Sequence, residues 1–449
     1  MPEYVSELQI YKRTAPRPRG RTCVDLFSGA GGLAVGFRQA GWAILAANDA
    51  DRDAGETFRL NFPEATFFEG AISQLTAEAL LEECGLEAGE LDCLIGGPPC
   101  QSFSYNNHNR SADDERARLF EDYLRLVEGL KPKTLIMENV PGILTIGNRS
   151  VINEIFSQLA LLGYESAVRI LSAEEFGTPQ IRRRVFIVGS RVGKADDLLP
   201  EPTHKSARVI SSKRSETASG RRRPVTVGQA IGDLPPLANG GGVQLAARSR
   251  TRAKNSFQRE VRKGAKALYN HICQTLGPLM LERIQHVPEG GNWRNIPRDL
   301  LTAGMQRAEL TDHTKRYGRL SRKGLASTIL TKCDPHWGAY IHPTQDRVIS
   351  VREAARLQGF PDAFVFAGQN IGKQYMQVGN AVPAPIARAI AEAALKHIER
   401  AIRAERRAQL KVKSKLNRNG RSERRRKVSF AQAPRLKSRR ARFARIKGA

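Results

Sequence analysis

Thr22-Cys23-Val24-Asp25-Leu26-Phe27-Ser28-Gly29-Ala30-Gly31-Gly32 is a short apolar run that breaks into glycines, and the helical pattern Leu33 to Ala40 follows it directly. Strand, glycine turn and helix in that order make a nucleotide-type binding turn, in which residues lacking a side chain let the backbone approach a ligand closely. The spacing Gly29-x-Gly31-Gly32 differs from the G-x-G-x-x-G of dinucleotide enzymes. That difference, and the lack of a hydride-transfer constellation, disfavour a nicotinamide-dependent dehydrogenase.

The next strand, Ala43 to Asn48, ends at Asp49, 20 residues beyond Gly29. An acidic residue at that place can accept hydrogen bonds from the ribose hydroxyls of an adenosine-containing ligand. Helix Asp53 to Asn61, strand Thr66 to Glu69, helix Thr76 to Glu83 and strand Asp92 to Gly96 continue the alternation. The last strand opens Leu94-Ile95-Gly96-Gly97-Pro98-Pro99-Cys100-Gln101-Ser102-Phe103-Ser104, where two prolines force the chain out of the strand and hold it stiff before a cysteine. The Cys100 thiol is therefore expected to be presented at the sheet edge. The polar stretch Tyr105 to Ala117 suits a mobile active-site loop. After helix Leu119 to Leu130, strand Thr134 to Met137 ends at Glu138, on the same edge as Asp25, Asp49 and Cys100. A carboxylate there is costly unless paired or used. Helix Val151 to Leu162 precedes a hairpin-like pair, Tyr164 to Leu171 and Val185 to Gly189, joined through Gln180-Ile181-Arg182-Arg183-Arg184. Strand alternation sets Arg182 and Arg184 on one side and Arg183 on the other.

This pattern predicts an α/β fold, a doubly wound and mostly parallel sheet, with a second, irregular domain. Residues 1–20 read as a flexible basic arm and 21–200 as the catalytic and cofactor-binding domain. Residues 201–320, rich in Arg, Gly, Pro and Ser, read as a domain whose loops follow a duplex groove, 321–397 as a return to the first domain, and 398–449 as a disordered basic tail. Gln377 to Pro383 is expected to open a long helix ending near His397.

The 449 residues carry a net charge of +27, and 41% of them are hydrophobic. Residues 396–449 hold 21 Lys and Arg against three Glu, a net +18 that leaves +9 for the rest. Such a balance points to a polyanionic partner. The six cysteines show no metal-ligand spacing and no disulfide framework, so no metal is expected. No apolar run is long enough to span a membrane, and the N-terminus lacks a signal-peptide core, so a soluble, intracellular (cytoplasmic) protein is expected.

A thiolate is a strong neutral-pH nucleophile, cationic neighbours raise its ionised fraction, and a glutamate beside it can recognise and activate a nitrogen heterocycle. The ordered motifs Asp25 to Gly32, Gly97-Pro98-Pro99-Cys100-Gln101-Ser102-Phe103, Glu138-Asn139-Val140, Gln180-x-Arg182-x-Arg184, Arg352-Glu353-Ala354-Ala355-Arg356-Leu357-Gln358-Gly359-Phe360-Pro361 and Gly379-Asn380-Ala381-Val382-Pro383 resemble those of DNA cytosine-5 methyltransferases. The resemblance implies S-adenosyl-L-methionine as cofactor, double-stranded DNA as partner, and a flipped cytosine attacked by Cys100. It implies that Glu138 holds the ring nitrogen and amine, that Arg184 bonds the carbonyl oxygen, and that Arg182 supports the pocket. By the same resemblance Phe27, Gly29, Ala30, Gly31, Gly32, Leu33, Asp49, Ile72, Pro99, Asn380 and Val382 line the cofactor site, and 201–320 is the target recognition domain. The last helix would then pack beside the first strand. One position departs: where the family carries an acidic residue in Gly-Asp-Ile, this chain reads Gly70-Ala71-Ile72. A transfer-RNA methyltransferase of the same fold, and a non-catalytic nucleic-acid-binding relative, are the alternatives; a separate restriction endonuclease is a possible partner.

Overall fold

The structure, a computed structural model, describes residues 7–99, 118–145, 150–207, 220–247 and 251–431. Cys100 and the polar stretch through Ala117 lie outside the described residues, as do 432–449 of the tail.

Strands β1 (Gln9–Tyr11), β2 (Thr22–Leu26), β3 (Ala43–Asp49), β4 (Thr66–Glu69), β5 (Cys93–Gly96), β6 (Thr134–Asn139), β7 (Glu165–Ser172) and β8 (Arg183–Ser190) form one sheet, in the order β1-β4-β3-β2-β5-β6-β8-β7. The neighbours from β4 to β6 run parallel, while β8 is antiparallel to both β6 and β7. The last two strands thus pair as an antiparallel hairpin, without a helical crossover between them. Strand order reverses between β2 and β5, which makes the carboxyl ends of those strands the topological switch point where doubly wound sheets bind ligands. The arm is partly ordered, contrary to the sequence expectation: β1 pairs antiparallel with β4, Ile10 opposite Phe68, and covers that sheet edge.

Apolar runs become buried strands because both sheet faces are covered. On one face Val24, Leu26, Leu94, Leu135 and Ile187 pack with Leu80 of helix α3 (Ala77–Cys84), Leu126 of α4 (Arg118–Leu130) and Ile155 of α5 (Ser150–Leu161). On the other face lie α1 (Gly32–Gln39) and the first turns of the final helix. These two helices nearly touch backbone to backbone: a Cβ at Gly36 would stand 2.4 Å from the Arg388 nitrogen. The Trp42 indole, just before β3, donates to the Ala391 carbonyl at 3.1 Å. The far end of the chain therefore closes on α1 and the start of β3, and Val24 of the first strand faces away from it.

Two boundaries differ from the sequence reading. Gln377 to Asn380 end a helix, Ile371–Asn380, and the next begins only at Ala384, because Pro383 lacks the N–H to continue the first. The final helix then runs through Ala431, past the end near His397 expected from the sequence. Residues Met1–Ile398 form one compact unit and Glu399–Ala449 a second.

Within the first unit, the irregular stretch has its own apolar cluster around Ile284, Trp293, Met305 and Tyr317, joined by Ile341 and Val348. Its strands β9 (Gly242–Ala247) and β10 (Ala267–Ile272) pair antiparallel. Helix Val351–Leu357 is fastened to it through buried cations. Arg352 donates to the Tyr269 and Pro361 carbonyls at 2.8 and 3.1 Å, and Arg356 binds Asp233 and, at 2.7 Å, Asp362. Among the described residues no helix is long and apolar enough to cross a membrane.

Gly36→Ala should force α1 and the final helix apart and lower stability by about 1–3 kcal/mol, an overpacking cost. Urea unfolding at equal protein concentration measures it; an unchanged midpoint would show that the interface yields freely.

Candidate active site

Glycine conformation builds the first half of the site. Phe27 and Gly29 both sit at φ 52° and Gly31 at φ 93°, so the chain leaves β2 through left-handed positions before entering α1. Gly29 has nothing within 4 Å of where a Cβ would stand, whereas a Cβ at Gly32 would lie 2.9 Å from the Val382 nitrogen. The turn is thus open on one side and sealed by the far end of the chain on the other. Ala30 and Leu33 are buried beneath it, and Asn380 beside the seal is exposed.

Asp49, half-buried at the end of β3, closes this turn: its carboxylate accepts the Gly29 N–H at 2.6 Å and the Asp51 N–H at 2.8 Å. Burial pushes its pKa up to about 6, and the donated N–H groups offset part of that rise. Asp25, wholly buried at the end of β2, is pushed well above the carboxylate range by burial, with the Ala34 backbone opposing. Ile72 follows β4 in a short turn, its carbonyl held by Arg125 at 3.0 Å, and Ala71 precedes it without any carboxylate.

The second half lies across the switch point. Glu138 remains inside β6, one residue from its end, and its Oε1 meets Arg184 Nε of β8 at 2.7 Å. Both side chains are 13% exposed. Burial raises the Glu138 pKa, while Arg184 and then Arg182 pull it back. Arg182 is itself buried; its two terminal nitrogens donate to the Ile329 carbonyl at 2.8 Å and the Gly379 carbonyl at 2.7 Å. Burial, with the like charge of Arg184, lowers its pKa to about 9. Arg183 is exposed, as alternation requires.

The β5 end is tied to this pair. A Cβ at Gly97 would lie 3.2 Å from Glu138 Oε2, and Asn139 donates to the Pro98 carbonyl at 3.0 Å. Pro99, exposed, is the last described residue before Cys100. Of the sequence candidates, then, Phe27 to Leu33, Asp49 and Val382 gather around the glycine turn, Glu138, Arg182 and Arg184 gather beside Gly97, and the Gly379–Asn380 corner touches both groups. The reading from sequence missed the part played by Gln180, which donates to the Leu357 carbonyl at 3.1 Å and accepts the Ile329 N–H at 2.9 Å, holding in place the segment that Arg182 grips. It also missed Gly97 as a close-approach position; the doubled glycine ahead of the prolines was the available signal.

The profile of the C-5 cytosine-specific DNA methylase family matches residues 21–396. The type II methyltransferase M.AgeI of Thalassovita gelatinovora is 32% identical over 422 residues, covering 82% of this chain and 98% of that protein. The type II methyltransferase M1.HphI of Haemophilus parahaemolyticus is 33% identical over 377 residues, covering 84% and 87%. Among solved structures, a candidate DNA modification methyltransferase encoded within an E. coli prophage superposes with a TM-score of 0.63 at 27% identity, covering 85% of this chain and 100% of that one.

Because Asp49 has a higher pKa in the fold than its ordinary 3.8, the folded protein holds more protons over that interval, and stability must fall as pH rises from about 4 to 6. Asp49→Asn should remove this part of the pH dependence. Thermal unfolding of both proteins at pH 4, 5, 6 and 7 tests it, and parallel curves would refute the assignment.

Proposed function

The chain belongs to the C-5 cytosine-specific DNA methylase family, and from that premise we propose that it methylates carbon 5 of a flipped-out cytosine in a specific duplex DNA sequence through a covalent adduct with Cys100. It is a DNA (cytosine-5)-methyltransferase with S-adenosylmethionine as methyl donor; the adduct, the flipping and the roles below are our reading. The observation that carries it is the buried Glu138–Arg184 pair at 2.7 Å beside Gly97, three residues ahead of the cysteine.

A site able to hold the donor is formed by the open face above Gly29 with Asp49 at its rim. Asp49 would accept from the ribose hydroxyls, Phe27 would lie against the adenine, Gly29 to Leu33 would face the methionine end, and Ile72, Pro99, Asn380 and Val382 would complete the walls. When bound there, S-adenosylmethionine supplies an electrophilic methyl group. The Cys100 thiolate attacks carbon 6 of cytosine, and the electron pair displaced from the 5,6 double bond makes carbon 5 nucleophilic. Glu138, whose pKa burial raises, is suited to be protonated and to donate to ring nitrogen 3 while accepting from the exocyclic amine, which spreads the negative charge. Arg184 holds Glu138 and bonds the carbonyl oxygen. Arg182, anchored on two carbonyls, fixes the height of Arg184. Once carbon 5 carries the methyl group, its proton is lost to solvent, and the electron pair left behind re-forms the 5,6 double bond and expels the Cys100 thiolate.

Residues 201–320 would serve target recognition, reading base edges from a body clamped to the helix Val351–Leu357 by Arg352 and Arg356. We further propose that the enzyme acts as a monomer and alongside a restriction endonuclease, as the type II names of its relatives suggest.

Tritiated methyl transfer to unmethylated genomic DNA should be detected with the native protein and fall below detection with Cys100→Ala, and Glu138→Gln should cost at least tenfold in kcat. Sequencing for 5-methylcytosine then gives the site; transfer to transfer RNA in place of DNA would move the reading to the RNA enzyme. At the adenine end, the missing acidic side chain at Ala71 forgoes a hydrogen bond of about 0.5–1.5 kcal/mol. Ala71→Asp should therefore tighten S-adenosylmethionine binding about two- to tenfold by calorimetry, and equal affinity would reject that account.

A further inference from the structure

The helix that begins at Ala384 changes character at the edge of the compact body. Up to Ile398 it buries Ala387, Ile390, Ala391, Ala394 and Ile398 completely. From Arg403 through Lys411 every residue is exposed, Leu410 by 66%. Over Arg403 to Lys411 no apolar side chain is covered, and the helix continues through Ala431. The family match ends at residue 396, so the conserved chemistry does not call for this extension.

Residues 399–431 contain thirteen Lys and Arg against three Glu. Arg400, Arg403, Arg407, Lys411, Lys415, Arg418, Arg421 and Arg425 follow one another at steps of three or four. At 100° per residue these eight positions share an arc of about 120° on one side of the helix. Glu399, Glu405 and Glu423 fall outside that arc. Like charges at such steps repel by about 0.2–0.5 kcal/mol per pair, so the sequence holds together an arrangement that is unfavourable in water alone. The ion pair of Arg403 with Glu399, 3.2 Å, is exposed and compensates little. A linear polyanion relieves the repulsion. The stripe runs about 38 Å at 1.5 Å per residue, about one turn of B-form DNA.

We propose that this helical extension is a second, sequence-independent DNA-binding element, whose cationic stripe lies along the phosphates of duplex DNA and holds the enzyme on its polymer outside the recognition site. The choice of duplex DNA as the polyanion rests on the functional reading above; the stripe itself does not.

The test uses the full chain and the cytosine-free duplex poly(dA)·poly(dT), without cofactor, so that binding is read apart from methylation. One variant replaces Arg403, Arg407, Lys411 and Arg418 by Gln; a second, with equal loss of charge, replaces Arg406, Lys413, Arg424 and Lys427, which lie off the stripe. Gln keeps helix propensity, and circular dichroism confirms it. Between 50 and 300 mM NaCl, the slope of log K against log salt should drop by about 3–4 in the stripe variant, at about 0.9 per phosphate contact, and by less than 1 in the other. Equal slopes in both variants, or an unchanged slope in the stripe variant, would each overturn the proposal. Failure of methyl transfer in the native protein with the slopes as expected would instead count against the catalytic reading alone.

Discussion

The buried guanidinium of Arg182 is the interaction on which the site depends. It is 2% exposed and joins the start of β8 to the Ile329 carbonyl and to the Gly379 carbonyl near the far end of the chain. An isolated cation in such a place would be strongly unfavourable; hydrogen bonds to two carbonyls and the nearby Glu138 carboxylate make it tolerable. Lowering of its pKa to about 9 still leaves it charged at neutral pH. Its position two residues before Arg184 ties the height of the Arg184 fork, and through it Glu138, to a junction of three distant segments. Gln180 reinforces the same junction from the other side, with Gln358 donating in turn to the Val378 carbonyl at 2.8 Å.

That junction explains why the resemblance motifs far along the sequence are needed at all. Arg352, Arg356 and Gln358 belong to one of those motifs, and their side chains bind carbonyls and buried carboxylates. The pair Arg347 and Glu353 adds a bidentate bridge at 2.7 and 2.8 Å, which holds the Glu353 pKa down to about 2 despite its burial. These groups organise the return of the chain beneath the sheet edge, so that Gly379 reaches Arg182 and Val382 reaches Gly32.

The parallel strands were legible because burial on both faces turns them into continuous apolar runs, and the glycine turn was legible because left-handed backbone needs glycine at Gly29 and Gly31. Glu138 stood out as a carboxylate closing an apolar strand. What escaped has a common cause: it depends on partners distant in sequence. Gln9 to Tyr11 carry no strand pattern of their own and become β1 by pairing with the edge of β4. Gln180 gains its role only once residues 329 and 357 are beside it. The helix past Ile398 has no amphipathic face to mark it, and composition alone reads it as a solvated tail.

The two ends of the proposed cofactor site are built unequally, and the difference bears on how a cofactor would be held. At the ribose end Asp49 already accepts two backbone N–H groups, so the carboxylate that would meet the hydroxyls is oriented by the fold before any ligand arrives. At the end proposed for adenine Ala71 offers no side-chain acceptor, and the turn behind it is fixed instead by Arg125 gripping the carbonyls of Ile72 and Leu75 at 3.0 and 2.9 Å. The turn is therefore held in shape without a carboxylate at position 71. Affinity would then rest on the pre-oriented Asp49 and on apolar contact with Phe27 and Ile72, while discrimination between adenine and other bases would fall to the backbone of this turn.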